Sequence, residues 1–429
     1  MIINFSVQNF GPVKDKQTLT FEAEHSDHLE KSYVVHTNGL RLLKLALIYG
    51  ANASGKTTIL KALDFLRKMV LEPKTKKTDE LDFTPFLFDP GTPGQNSILS
   101  LEFLANDTKY YYEVEFFKKA IVQETLNFYR PNKATVFKRT TDIKNQFTEI
   151  EFGSKIKVDK TIEKILEANT LWNNTVLGGY LKTNIDVKEL KEVMEWFKNY
   201  LYPLVHTRTQ LERFVTSKIE RRQLSKQDVI NILKKADFHI SDIVMQREEK
   251  EIPNGLVDSI KRQLKESPGQ LIELGKKEKI TSVNLVFEHT VGQQKYTLPI
   301  EMESQGTRRF YGFAGLLALL IKNPTAIPID ELESSLHPDL YTHFILSFLM
   351  NTDKSQLIAT THNREILDNK DIFRNDAIWF TDKDENGSTE LYSLADFDSS
   401  TVRNTTNILN AYKSGKLKAT PNLGDYFII

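Results

Sequence analysis

The chain has 429 residues, with 57 Lys plus Arg, 57 Asp plus Glu and no cysteine. The zero net charge argues against a protein that coats nucleic acid through bulk charge, and the missing cysteine excludes disulfides, thiol catalysis and thiolate zinc sites. No apolar stretch reaches the ~18 residues of a transmembrane helix and the opening residues lack a signal-peptide pattern, so we expect a cytoplasmic protein without membrane contact.

The N-terminal part has the pattern of strands with one helix. The first 25 residues alternate apolar and polar side chains around Gly11-Pro12, which predicts a β-hairpin. An apolar run at 43–49 has strand length, and residues 58–70 place apolar side chains at helical spacing. Alternation returns over residues 83–152 and predicts further strands. We interpret residues 1–155 as the first lobe of a domain.

Residues 160–275 differ in character, because they are charged and mostly helical in period. The predicted helices in this part are 187–200, 207–222, 226–236 and 257–274. We interpret residues 156–278 as a mainly helical insertion, or arm, with a separate middle domain as the alternative. Proline and glycine at several positions, including Pro203 and Pro268-Gly269, interrupt the helical pattern and disfavour long coiled coils.

The last part of the chain alternates strands and helices. A hairpin is predicted at 281–300, and the elements after it are a helix at 307–321, a strand at 325–329, a helix at 339–349 and a strand at 356–360. This alternation favours a parallel sheet. The predicted fold class is therefore α/β, with one sheet domain whose lobes, 1–155 and 279–429, are separated by the insertion.

A phosphate-binding loop is the most specific motif. Residues 50–57 read GANASGKT and fit the pattern G-x-x-x-x-G-K-[ST]. Glycine lets backbone N–H groups point at phosphate oxygens, the lysine brings positive charge to the β- and γ-phosphates, and the threonine hydroxyl binds Mg²⁺. A strand pattern before the motif and a helix pattern after it make a chance match improbable. The predicted nucleotide contacts are Gly50, Asn52, Ser54, Gly55, Lys56, Thr57 and Thr58.

Two acids follow the apolar run 326–329. A phosphoryl-transfer site needs one acid to hold Mg²⁺ and often a second to orient or deprotonate the attacking water. We assign the first role to Asp330, with Thr57 as the other metal ligand, and the second role to Glu331. A solvated acidic turn is the alternative for the pair taken alone. Pro328 cannot donate a ladder hydrogen bond, which predicts a bend or bulge in this strand.

His362 follows the short strand pattern at 356–359. At the end of a strand beside a γ-phosphate, a histidine can sense the phosphate charge by hydrogen bonding. Taken singly, it is equally typical of a surface or capping residue, so its assignment depends on its place after the other motifs.

The order of these elements resembles that of an ABC-type ATPase head. They are the phosphate loop, a signature-like Glu303-Ser304-Gln305-Gly306-Thr307, the pair Asp330-Glu331 and the histidine at 362. The resemblance implies that Ser304 and Gly306 of one subunit contact the γ-phosphate held by the phosphate loop of another. The signature lacks the Leu-Ser-Gly-Gly form of transporters, which speaks against a transporter.

More narrowly, the chain resembles the AAA15-like ATP-binding proteins of bacterial anti-phage systems, a group that includes RloA, AbiLi and the AriA component of PARIS. The resemblance covers about 1–150 and 280–429. The phrases that carry it are Asn9-Phe10-Gly11-Pro12, Glu303-Ser304-x-Gly306-Thr307-Arg308-Arg309, Asp330-Glu331-Leu332-Glu333-x-x-Leu336-His337-Pro338, and Tyr412-x-x-Gly415 with Pro421.

This resemblance implies an ATPase that binds ATP and Mg²⁺, with Glu331 and His362 as its catalytic residues. It implies a homodimer or higher homo-oligomer in which ATP bridges two heads. It also implies a sensor or scaffold that controls a separate effector protein, either a Toprim-like nuclease or a toxin.

Two other functions stay open. A self-contained nuclease of the overlapping-lysogenisation-defect type is disfavoured, because only 67 residues follow His362 and the acids Asp382 and Asp384 border a predicted Asn386-Gly387 hairpin turn. An SMC-like DNA-repair ATPase would bind DNA through basic clusters, such as the one at residues 218–222. The zero net charge of the chain does not itself imply that it binds nucleic acid. The trigger, the effector and the adenine-contacting residues are not predicted.

Overall fold

The computed structural model describes residues 1–251, 279–397 and 408–421, so the predicted helix at 257–274 lies outside the described residues. The strands are β1 (Ile2–Gln8), β2 (Gln17–Thr20), β3 (Val34–Thr37), β4 (Leu40–Leu43), β5 (Leu45–Gly50), β6 (Ser97–Ala105), β7 (Thr108–Phe117), β8 (Ala120–Tyr129), β9 (Lys133–Asp142), β10 (Phe147–Phe152), β11 (Ile240–Glu251), β12 (Lys279–Val291), β13 (Gln294–Pro299), β14 (Ala326–Ile329), β15 (Gln356–Thr360), β16 (Ile378–Lys383) and β17 (Thr389–Ser393).

The described α-helices lie mainly between and after these strands. They are α1 (Glu30–Tyr33), α2 (Lys56–Leu71), α3 (Lys160–Asn169), α4 (Val176–Tyr180), α5 (Lys188–Asn199), α6 (Leu211–Glu220), α7 (Lys226–Lys235), α8 (Gln305–Lys322), α9 (Pro338–Asn351) and α10 (Ile408–Lys413). Among the described helices, none combines the length and apolarity that a membrane crossing requires.

The chain forms two compact units. The first comprises Met1–Thr209, Leu320–Ser334 and Tyr341–Ile429, and the second comprises Gln210–Leu319 and Ser335–Leu340. In the first unit, α3 packs on β10, while α4 and α5 pack on α2. The predicted three-part division at 155 and 278 stays a prediction about domain organisation.

A five-stranded sheet in the first unit has the order β14-β15-β5-β16-β17. The first four strands run parallel to their neighbours, and β17 is antiparallel to β16. Every residue of β5 is buried, as expected for a central parallel strand covered on both faces. The carboxyl ends of β5, β14 and β15 meet at one edge of the sheet, where ligands bind in open α/β sheets. The predicted α/β fold class, a P-loop NTPase fold with a mixed sheet, is confirmed.

Pro328 lies on β14, the first strand of this sheet. Beyond β14 the neighbouring segment forms only isolated bridges, Leu201 with Ala326 and Val205 with Ile329. Proline is tolerated at such an edge, because its missing N–H interrupts no continuous ladder. On the opposite side of the sheet, the predicted hairpin turn between β16 and β17 is confirmed, and Asp384 Oδ1 accepts the N–H of Asn386 at 2.9 Å.

A seven-stranded sheet in the same unit has the order β10-β9-β8-β7-β6-β1-β2, and all its neighbours are antiparallel. It confirms the N-terminal hairpin and the strands predicted over 83–152. The buried amide of Gln356 joins this sheet to the five-stranded one. Its Nε2 donates to the carbonyls of Ile2 at 2.9 Å and Leu43 at 3.1 Å, and its Oε1 accepts the N–H of Ile2 at 2.6 Å.

The second unit contains an antiparallel sheet of order β11-β12-β13. The pair β12 and β13 confirms the hairpin predicted at 281–300. The strand β11 lies inside the predicted, mainly helical insertion, between the helices predicted at 226–236 and 257–274, and no predicted element covered it. This strand is defined by its pairing with β12, and a local hydrophobic pattern contains no information about such a distant partner.

Candidate functional site

The phosphate loop connects the end of β5 to the start of α2. Ala53 and Gly55 have φ angles of 62° and 108°, in the left-handed region that turns the chain sharply. A Cβ at Gly50 would collide with Thr381, and one at Gly55 would collide with Thr389. Glycine is therefore required at both positions, and the curled backbone before the helix N-terminus has the form that binds phosphate oxygens.

Ser54 anchors this loop to the neighbouring strands of the sheet. Its side chain is buried and its Oγ shares a hydrogen bond of 2.6 Å with Oγ1 of Thr381, while Thr389 Oγ1 donates to the Ser54 carbonyl at 2.8 Å. The Ser54 hydroxyl thus holds the loop against β16, and the Ser54 carbonyl holds it against β17. By contrast, the side chain of Asn52 is exposed, and that of Thr58 lies against Gly11 of the N-terminal turn.

Lys56 extends back over the loop. Its Nζ donates to the carbonyls of Gly50 at 2.8 Å and Ala51 at 2.9 Å. Burial lowers the pKa of Lys56, and the nearby carboxylates of Asp330 and Glu331 oppose that shift. The ammonium group is therefore buried at the loop and within electrostatic range of both acids.

Asp330 meets the loop at the end of β14. Its Oδ1 accepts hydrogen bonds from Thr57 Oγ1 at 2.9 Å and from Thr360 Oγ1 at 2.7 Å. The two predicted metal ligands are thus in direct contact. A hydroxyl beside a buried carboxylate is a donor set that suits Mg²⁺, which prefers oxygen ligands and usually keeps several waters. The residues present therefore fit the predicted ion.

Glu331 has an unusual backbone. Its φ is 49°, a left-handed conformation that is uncommon for a residue with a side chain, and its N–H donates to Thr360 Oγ1 at 2.8 Å. The side chain is exposed beside the Asp330 carboxylate. Strained backbone of this kind clusters at functional sites, where the surroundings maintain it.

Thr360 is a site residue that sequence reasoning missed. The same hydroxyl donates to Asp330 and accepts the N–H of Glu331, so it fixes both acids at once. The signal available in the sequence was its position at the end of the strand predicted at 356–360.

His362 lies two residues after the end of β15, in the first unit, which also contains the phosphate loop and the acid pair. Its backbone N–H donates to Glu333 Oε1 at 2.5 Å. Burial and the positive charge of Lys56 lower the pKa of His362, and the carboxylates of Glu333 and Glu331 oppose that shift. The structure thus brings the phosphate loop, the acid pair and the histidine together.

Ser304 and Gly306 lie in the second unit. The Ser304 hydroxyl accepts the N–H of Thr307 at 3.0 Å, so it caps the start of α8, and its side chain is exposed. A Cβ at Gly306 would lie 3.2 Å from the carbonyl oxygen of Ser335. The roles predicted for both residues involve a second subunit and stay predictions.

A parallel sheet, a phosphate loop between β5 and a helix, and an acid pair at the end of β14, two places from β5 in the sheet, define the class of P-loop ATPases. A sequence model of the family described as "AAA domain, putative AbiEii toxin, Type IV TA system" matches residues 45–368, and the chain belongs to this family. A search of curated proteins gives no match.

Solved structures similar to this chain include three heads of SMC proteins. The SMC head domain from Thermotoga maritima is 14% identical, with 91% of this chain and 98% of that chain covered and a TM-score of 0.41. The SmcHead bound to the C-winged helix domain of ScpA is 12% identical, with coverages of 91% and 97% and a TM-score of 0.45. The Smc head domain with an extended coiled coil, bound to the C-terminal domain of ScpA derived from Pyrococcus furiosus, is 12% identical, with coverages of 96% and 99% and a TM-score of 0.40.

Proposed function

We propose that this chain binds ATP with Mg²⁺ and hydrolyses it to ADP and phosphate. The observation that carries the proposal is the hydrogen-bonded group formed by Thr57, Asp330 and Thr360, with Glu331 beside it. Three separate parts of the chain converge there on the phosphate loop. A hydroxyl and a carboxylate in contact at a phosphate loop, next to an exposed second acid, are the groups that phosphoryl transfer to water requires.

Each residue has a defined task in this proposal. The loop N–H groups and Lys56 bind the β- and γ-phosphates. Thr57 and Asp330 hold Mg²⁺, which, when bound, neutralises phosphate charge. Glu331 orients the attacking water and accepts its proton, and His362 hydrogen-bonds the γ-phosphate. The lowered pKa of His362 favours a neutral imidazole, which can still donate one N–H.

We further propose that ATP joins two heads, because the ABC-type resemblance implies that Ser304 and Gly306 of one chain contact the γ-phosphate bound by the other. The exposed position of Ser304 at the start of α8 supports this proposal. A helix N-terminus carries partial positive charge and suits a phosphate oxygen.

Substitution of Ser304 by aspartate tests the bridge. Aspartate is also a good N-cap, so α8 should remain stable, but its negative charge would repel the partner's γ-phosphate. We expect Ser304→Asp to bind ATP within about threefold of the wild-type affinity. We also expect it to remain monomeric with ATP and Mg²⁺ in analytical ultracentrifugation and to lose hydrolysis.

The matched control for this variant is Ser225→Asp, because Ser225 caps α7 in the same unit through the N–H of Asp228. The control should dimerise and hydrolyse ATP as the wild type does. An ATP-dependent dimer of unchanged stability in Ser304→Asp would contradict the proposed bridge.

The cellular role that we propose is a sensor or scaffold in anti-phage defence that controls a separate nuclease or toxin. The family description, which names a toxin and a toxin–antitoxin system, and the resemblance to AAA15-like defence ATPases support this role. Cells that carry the gene with its neighbours should plate phage less efficiently than cells with a Lys56→Ala allele. Equal plating on both strains, across a panel of phages, would contradict the role.

A further inference from the structure

Glu333 is an acid at the site for which the proposed mechanism has no task. Its two carboxylate oxygens have different surroundings. Oε1 accepts the backbone N–H of His362 at 2.5 Å, whereas Oε2 is buried and has no hydrogen-bond partner among the described residues. A buried carboxylate oxygen without a donor destabilises the folded chain, so stability alone does not account for an acid at this position.

The turn that carries Glu333 is fixed to the end of β15. The N–H of Leu332 donates to the Thr360 carbonyl at 3.0 Å, and the N–H of Ser334 closes the turn on the Glu331 carbonyl at 2.9 Å. Together with the Glu331–Thr360 bond, these contacts hold the turn close to the segment that begins at Thr361. Glu333 makes the additional contact, which reaches beyond the strand end to the histidine itself.

Two basic side chains and two tyrosines, which belong to different parts of the first unit, surround the Glu333 carboxylate. Lys56 and His362 lie within electrostatic range of its carboxylate. Tyr49 on β5 and Tyr341 on α9 are fully buried, and burial together with the Glu333 charge raises the pKa of both phenols. Both hydroxyls are therefore protonated at neutral pH.

We propose that Glu333 is a positioning residue for ATP hydrolysis, which fixes the main chain of His362 beside the phosphate loop through its carboxylate oxygen. This inference rests on the proposed ATPase function. The inference predicts that Glu333 affects the hydrolysis step and not ATP binding. The Glu333–His362 hydrogen bond orients the histidine toward the γ-phosphate and does not involve the residues that bind the rest of the nucleotide. The acceptor oxygen is what matters, so an amide in its place should be sufficient.

The test compares Glu333→Ala with the isosteric Glu333→Gln. Alanine removes the acceptor, and we expect kcat for ATP to fall about 10- to 100-fold while the Kd for ATP changes less than about threefold. Glutamine keeps an oxygen that can accept the His362 N–H, so kcat should remain within about threefold of the wild type. Steady-state phosphate release gives kcat, and equilibrium binding of a fluorescent ATP analogue gives Kd.

The matched control is Glu365→Ala, an exposed glutamate three residues after His362, which should leave both constants unchanged. Hydrolysis at the wild-type rate in Glu333→Ala would overturn the inference, as would a Glu333→Gln protein as slow as Glu333→Ala with an unchanged thermal unfolding midpoint. Both results leave the ATPase proposal intact. A wild-type protein that neither binds nor hydrolyses ATP would instead overturn the ATPase proposal and this inference together.

Discussion

Replacement of Lys56 by alanine is expected to weaken ATP binding about 100-fold or more and to abolish hydrolysis. The ammonium group is the positive charge at the centre of the loop, and charge-assisted hydrogen bonds contribute about 1.5–3 kcal/mol each. Loss of two such bonds to phosphate oxygens corresponds to roughly 10²- to 10⁴-fold in Kd. Isothermal titration with ATP and Mg²⁺ measures the loss.

The variant also removes a contact within the protein, because Lys56 Nζ donates to the carbonyls of Gly50 and Ala51. Thermal unfolding should therefore be measured alongside binding. The matched control is Lys61→Ala, since Lys61 is an exposed lysine on the same helix, five residues further along. Wild-type affinity in a folded Lys56→Ala protein would contradict the assignment of the loop as the phosphate site.

Glu331→Gln is expected to have the opposite profile, with ATP binding retained and turnover lost. The Glu331 side chain is exposed and lies outside the hydrogen-bonded group of Thr57, Asp330 and Thr360, so an amide in its place should not disturb that group. Without a base to accept the proton from water, kcat should fall about 10²- to 10⁴-fold. Single-turnover hydrolysis and nucleotide binding, measured on the same preparation, separate the two effects.

The same variant should accumulate ATP-bridged dimers, because binding continues while hydrolysis is blocked. Glu385→Gln, at the exposed hairpin turn after β16, serves as a control for the loss of one negative charge. Rapid turnover in Glu331→Gln would show that another group accepts the proton, and it would remove Glu331 from the catalytic role.

The phosphate loop and the sheet around it were predictable because their signals are local. A glycine-rich loop between an apolar run and a helical period specifies strand, loop and helix within about 30 residues. The end of β14 was equally predictable, since an apolar strand that ends in two acids is typical of a metal site in a chain with a phosphate loop. Ser304 was recognised from its motif alone, and its capping of α8 emerged only from the structure.

The contacts missed from the sequence join distant parts of the chain. Thr360 and Glu333 acquire their significance where the ends of β14 and β15 meet, and the Glu333 contact with His362 spans 29 positions. The strand β11, which no predicted element covered, is likewise defined by its pairing with β12. Neither periodicity nor spacing records which strand ends become neighbours, because register and sheet order are set by tertiary packing.

Gln356 links the five-stranded sheet of the first unit to its seven-stranded sheet. It begins β15, the strand whose other end carries Thr360, and its amide bonds tie that strand to β1 of the seven-stranded sheet. Tyr200 adds a further bond to the same oxygen at 3.1 Å. A displacement of β15 along its axis, started at the end that carries Thr360, would have to break these buried bonds or move β1 with it. The position of β15 along its axis is therefore coupled to that of β1 in the antiparallel sheet.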